Sequence, residues 1–268
     1  MAKLSINSAW EEAAGFVRRE GRLLFPISFM LIALPGALGE ALAPAPGTGG
    51  EAGVGGLWLL LFLLALLPTA IGNVAITFLA IRPGTSVAEA LRRGAARLLP
   101  LLAAAAILIV ALLLLFMIFV VATAGLVPGA IEAAKAGAPT PAFSRAMLLA
   151  VLILLPIALF FSARLMLVTP LAANEEGGPL RLIARSWQLT AGHGWVLVAT
   201  LLLVTIVYAV AWIAVQAVAG LVVVALFGQP APGSLAAFLI TLVAAGVTTL
   251  AAPYLASFFA RIYAQLAA

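Results

Sequence analysis

Ser86-Val87-Ala88-Glu89-Ala90-Leu91-Arg92-Arg93-Gly94-Ala95-Ala96-Arg97, followed at once by the apolar run Leu98–Ala122, carries the fold in brief. Ser86 and Glu89 have the spacing at which a serine hydroxyl and a glutamate satisfy the free N–H groups of a helix start. Val87, Leu91, Ala95 and Leu98 recur along one helical face, and the arginines break it on the others. The same passage from a basic amphipathic segment into an apolar run occurs at Ser8–Arg22 before Leu23 and at Gly178–His193 before Trp195. Three copies predict three pseudo-repeats in a single membrane domain of residues 1–268, bounded at about 1–81, 82–171 and 172–268. Each would be a helix lying on the membrane followed by a hairpin crossing it.

Composition selects the same class. Hydrophobic residues make up 65% of the chain and charged ones 9%, against roughly 45–50% and 25% in soluble domains. A soluble protein of this size could not cover so much apolar surface, whereas lipid accepts it. The chain has no cysteine, which removes disulfides, thiolate metal sites and a cysteine nucleophile, and its nine acids are all glutamate. A net charge of +5 is compatible with nucleic acid, but the basic residues border apolar spans instead of forming a soluble patch. An anionic membrane surface is the better partner, and no nucleic acid is expected.

Six spans follow: Leu23–Leu42, Leu57–Ile81, Leu98–Ala122, Met147–Leu171, Trp195–Phe227 and Leu235–Tyr263. The first four suit one helix each at about 20 residues per crossing. The last two exceed that length and imply tilt or extension, and Pro253 is placed to bend the sixth. The N-terminal segment, the second loop, the fourth region and the C-terminus hold 12 of the 14 Lys and Arg residues, and the alternate loops hold only Lys135 and Arg145. That bias predicts both termini on the cytoplasmic side of a bacterial inner membrane. Arg18–Arg22, the run from Leu23 and Ala41-Leu42-Ala43 imitate a cleavable signal, but the preceding segment is long and reads as structured, so retention is expected. Gly39–Gly56 and Pro128–Pro141 read as outer loops, and Gly228–Ser234 as a tight connection.

The inner-face segments carry helix signals. Ser8-Ala9-Trp10-Glu11 repeats the capping pattern of Ser86–Glu89, and Gly178-Pro179 puts proline at a first helical position. Leu180, Ile183, Trp187 and Ala191 lie opposite Arg181, Arg185 and Gln188. Such faces suit helices half sunk among headgroups, with Trp10 and Trp187 as depth anchors. The plainer alternative is topogenic charge on connecting helices.

Arg164 stands inside the fourth span, about seven residues from its inner end. An arginine there costs about 2.5–3.5 kcal/mol on insertion scales when central, and less when it reaches the surface. Pairing with Glu175 or Glu176 would lower that cost and make it an ion-paired anchor; a lipid-headgroup or ion site is the other reading. Ser162-Ala163-Arg164-Leu165, Pro170, Asn174-Glu175-Glu176-Gly177-Gly178-Pro179-Leu180 and Arg185-Ser186-Trp187-Gln188-Leu189-Thr190 together resemble a bacterial membrane-domain superfamily. That superfamily is the six-span domain fused to some glycerophosphodiester phosphodiesterases, with its stand-alone relatives of poorly defined function. The resemblance covers roughly 30 residues, is loose at His193-Gly194, and implies an inner-membrane domain rather than phosphodiesterase activity, because the 268 residues hold no hydrolase half.

Catalysis finds little to work with. A metal-dependent hydrolase needs clustered carboxylates and histidines, and here there are one histidine, no aspartate and scattered glutamates. Ser28 and Ser162 have no base nearby in sequence, and Gly47–Gly56 is not followed by a phosphate-binding lysine. Asn73, Thr77, Gln216, Thr241 and Thr249 could line a passage, although such residues also let membrane helices pack closely.

The expectation is therefore an all-α integral membrane protein with six transmembrane helices and three amphipathic interfacial helices on the cytoplasmic side. It would be non-enzymatic, need no cofactor or metal, and bind or organise anionic phospholipid, or act as an accessory in membrane-envelope processes. The residues expected to carry this are Arg92, Arg93, Arg97, Arg164, Glu175, Glu176, Arg181, Arg185, Ser186 and Trp187. The alternatives are a small-solute, lipid or peptide permease or export accessory, and a subunit that docks a membrane or cytoplasmic protein partner.

Overall fold

A computed structural model describes residues 4–41, 52–129, 131, 141–230 and 234–267. Among them there is helix and no strand, and six helices are long and apolar enough to cross a membrane. The first span is α1 (Ile6–Ser28), which widens through a π-helical stretch (Phe29–Ala33) into α2 (Leu34–Ala41). The widening comes just ahead of Pro35, which has no N–H to donate to a regular ladder. The other spans are α3 (Ala52–Ile81), α4 (Val87–Leu126), α5 (Pro141–Leu165), α8 (Gly194–Phe227) and α9 (Leu235–Ala267). Between α5 and α8 lie two short helices, α6 (Val168–Asn174) and α7 (Pro179–Leu189). The expected loops Gly39–Gly56 and Pro128–Pro141 fall largely outside the described residues.

Two of the three amphipathic segments are not separate helices. Ser8–Arg22 is the first part of α1, and Ser86–Arg97 is the start of the 40-residue α4, which runs through Pro100 without a break. Nothing between Arg97 and Leu98 ends a helix, and a proline inside a membrane helix is tolerated where neighbours satisfy the freed carbonyl. At about 1.5 Å per residue α4 is about 60 Å long, twice the hydrocarbon thickness, so it extends well beyond one crossing. Only the third segment stands alone. Pro179 occupies the first turn of α7, with Gly178 as its cap, and Gly192 at φ +85° turns the chain into α8.

The helix starts sharpen the capping expectations. Ser86 caps α4 as expected, accepting from Glu89 N at 3.2 Å. In α1 the cap is Ser5 rather than Ser8; its hydroxyl accepts from Ser8 N, and the Ser8 hydroxyl donates to Glu12 one turn on. Ser5 offers an acceptor three residues earlier, so the helix begins there.

Packing runs α3–α4–α5–α8–α9 and back to α3, with the first span seated against α9 and α3. Ser5 N donates to Gln265 Oε1 at 2.9 Å and Glu12 pairs with Arg261 at 3.6 Å, so the two ends of the chain meet. Trp10 stacks on Tyr254 and meets Phe258 edge-on at the same place. Both buried apolar clusters gather at this end, one around Leu24, Ile76 and Phe78, the other around Leu167, Leu171, Leu197, Phe258 and Ile262. The short α6 is packed into it with Val168, Pro170, Leu171, Ala172 and Ala173 buried. Gly94 is what lets α4 lie on α3, because a β-carbon there would stand 2.7 Å from the Ile71 carbonyl oxygen.

Candidate functional site

Two helices end at the basic pole with carbonyl groups that nothing within the helix satisfies, and arginines and hydroxyls from elsewhere meet them. At the end of α6, Arg93 Nε donates to the Ala173 carbonyl at 2.9 Å and Arg93 Nη2 to that of Asn174 at 3.3 Å. A guanidinium at a helix C-terminus also meets the negative end of its dipole. At the end of α5, Ser186 Oγ donates to the Arg164 carbonyl at 2.7 Å, with Thr190 Oγ1 beside it at 3.4 Å. Ser186 and Thr190 are four apart and share one face of α7. That spacing explains the serine and threonine of the motif, since together they tie α7 under α5.

The carboxylates are held by other partners. Glu175 Oε1 accepts from the Tyr263 hydroxyl at 3.0 Å and lies 3.8 Å from Arg185 Nε. Asn174 donates to Tyr263 at 3.1 Å and accepts from Arg82 Nη2 at 3.1 Å, linking the α3–α4 turn to α9. Glu176 meets Arg97 at 3.3 Å and Arg93 at 3.5 Å, but its side chain is 83% exposed. Water weakens such a pair to about 1 kcal/mol or less, so the bonds from Arg93 to the backbone contribute more.

Arg164 departs from expectation. Neither Glu175 nor Glu176 pairs with it, because α6 carries both carboxylates towards α4, α7 and α9. Its guanidinium instead lies 5.3 Å from the Phe160 ring and 5.2 Å from that of Trp187, with a long 3.5 Å contact from Nη1 to Thr190 Oγ1. The two rings meet edge-on at 6.2 Å and are held by further contacts of Phe160 with Trp195 and of Phe161 with Trp187. Contact with two rings that stand nearly perpendicular to each other desolvates part of the guanidinium and stabilises it by about 0.5–2 kcal/mol per ring. Arg164 Nε is buried without a partner among the described residues, as is His193 Nδ1 nearby.

The structure thus brings Arg93, Arg97, Glu175, Glu176, Arg185, Ser186, Trp187 and Arg164 to one pole. Arg92 and Arg181 stand exposed beside them, with no carboxylate in reach among the described residues. Tyr263, Asn174, Arg82, Thr190 and Phe160 belong to the same constellation. Phe160 was findable, one turn before Arg164; Tyr263, almost 90 residues from Asn174, gave no local signal.

The polar residues of the spans behave differently. Thr69, Thr77, Thr241 and Thr249 each donate to the carbonyl four residues back, and Asn73 does the same to Thr69. These hydrogen bonds are spent on their own helices, whereas Gln216 Oε1 is buried with no partner among the described residues.

Compared with known proteins, the chain matches over residues 4–266 the family described as Domain of unknown function (DUF7847), and it belongs to that family. No curated protein and no solved structure matches it.

Proposed function

We propose that this DUF7847 protein is a non-enzymatic, multi-pass protein of a bacterial inner membrane, and that its basic pole holds or organises anionic phospholipid at the cytoplasmic leaflet. One observation carries the reading. At the pole where the chain ends meet, Arg18, Arg19, Arg22, Arg92 and Arg181 are exposed and have no carboxylate within 4 Å among the described residues. Meanwhile Arg82, Arg93, Arg97, Arg185 and Arg261 are engaged by the protein itself. The free set has the position and the sign to attract lipid phosphates, at about 1 kcal/mol for each arginine near such a surface.

Trp10 at 44% exposure and Trp187 at 38% flank this set, as aromatic side chains do at a headgroup boundary. In this reading the amphipathic first turns of α1 and α4, and all of α7, lie at the interface with both chain ends in the cytoplasm. The three pseudo-repeats belong to the same proposal. So does the likeness to the phosphodiesterase-associated membrane domain, which rests on the motif residues alone and draws no support from the family match.

The test is reconstitution in bilayers of mixed phosphatidylglycerol and phosphatidylcholine, with the lipid shell read by native mass spectrometry. Phosphatidylglycerol should be enriched around the wild-type protein, and Arg92→Gln with Arg181→Gln should lower that enrichment in a salt-dependent way. Equal retention of the two lipids by the wild type would refute the reading.

A further inference from the structure

We infer that the cavity between the end of α5 and the start of α8 binds the phosphate group of a single anionic phospholipid, an inference that rests on the lipid-binding reading above. The cavity measures about 390 Å³, and Arg164 and Phe160 wall it on one side, His193, Gly194 and Trp195 on the other. That is larger than a bare phosphate needs, and within the range of small-molecule sites.

Two features converge on an anion. Arg164 is the cation in the wall, and among the described residues no carboxylate neutralises it, whereas Arg93, Arg97, Arg185 and Arg261 all have one. The rings that hold it leave Nε buried and without an acceptor. The start of α8 opens into the same space: its cap residue His193 makes no side-chain cap bond, and the first backbone N–H groups of a helix have no partner inside it. A phosphate oxygen set between a guanidinium and a helix start is bound from both sides. Gly194 borders the same space, and a side chain added there would enter it. A β-carbon there would stand 3.4 Å from the Arg164 guanidinium.

The surroundings select a lipid over a soluble phosphate. Trp195 at the mouth is 79% exposed. From the cavity outward, one turn at a time, the exposed faces are apolar: Leu202, Leu203 and Ile206 on α8, Ile153 and Leu149 on α5. A molecule with its phosphate at Arg164 would lay its acyl chains along these faces within the hydrocarbon.

Native mass spectrometry of the full chain released from phosphatidylglycerol–phosphatidylcholine nanodiscs tests the site. The expected result is one phosphatidylglycerol retained more tightly than the shell. Arg164→Gln should weaken it at least about tenfold, the scale of a charge-assisted bond. Gly194→Leu, which keeps the charge and fills the cavity, should do the same, so the site remains testable if Arg164→Gln fails to fold by circular dichroism. Millimolar inorganic phosphate should not displace the lipid. Retention unchanged in folded Arg164→Gln or in Gly194→Leu would overturn the site while leaving the broader lipid reading standing. Displacement by inorganic phosphate would overturn the lipid as its ligand. A wild-type protein with no preference for phosphatidylglycerol would overturn both.

Discussion

The two ends of the bundle are built on different terms. At the basic pole the last turns of α9 bury Pro253, Ala256, Ser257, Phe258, Ala260, Ile262 and Tyr263, and α6 is buried almost entirely. Towards the opposite end α4 and α8 present apolar side chains nearly all round: Ile109, Leu113, Leu114 and Ile118 on α4, and Val207, Val210 and Ile213 on α8, are more than half exposed. Such surface would destabilise a soluble fold, but lipid solvates it as well as another leucine would. Close packing is concentrated where helices end and carbonyls, guanidiniums and carboxylates must find partners. Precise structure at the pole, and loosely neighboured spans away from it, is the outcome.

That contrast can be broken from its strong side first. Leu171→Ala, at a fully buried position of α6, should cost about 3 kcal/mol through the cavity it leaves, read as a lowered midpoint of unfolding in mixed micelles. Gly94→Ala comes next. Its β-carbon meets Ile71 backbone, which cannot swing aside, so α3 and α4 must part at about 1–3 kcal/mol. On the weak side, Leu113→Ala on the exposed face of α4 should change the midpoint by less than about 0.5 kcal/mol. A loss at Leu113 as large as at Leu171 would show that the far end packs against something, and the comparison would fail.

Much of this architecture was legible in the sequence, because each legible feature is local. Six apolar runs give six spans, Ser86 caps α4, and Pro179 opens α7. What was not legible depends on chain-distant geometry. The continuity of α1 and α4 through their arginine-rich turns has no local marker, since a change of polarity along a helix is not a break in it. Arg164 and Glu175 are near in sequence, yet the turn at Met166-Leu167 and the burial of α6 send the carboxylate to Tyr263 and Arg185. The arginine is left to Phe160, Trp187 and the opening beside α8. The motif residues do come together at one pole, but their pairings were not recoverable from spacing.

The proposed orientation puts the packed, basic pole at the cytoplasmic leaflet. Because the chain has no cysteine, single cysteines report position cleanly. Pro83→Cys lies in the α3–α4 turn at that pole, and Gln229→Cys in the α8–α9 connection at the other; both positions are exposed. A membrane-impermeant maleimide applied to intact spheroplasts should label Gln229→Cys at once and Pro83→Cys only after lysis. Labelling of Pro83→Cys in intact spheroplasts, with Gln229→Cys protected, would put the arginines on the wrong side of the membrane and contradict it.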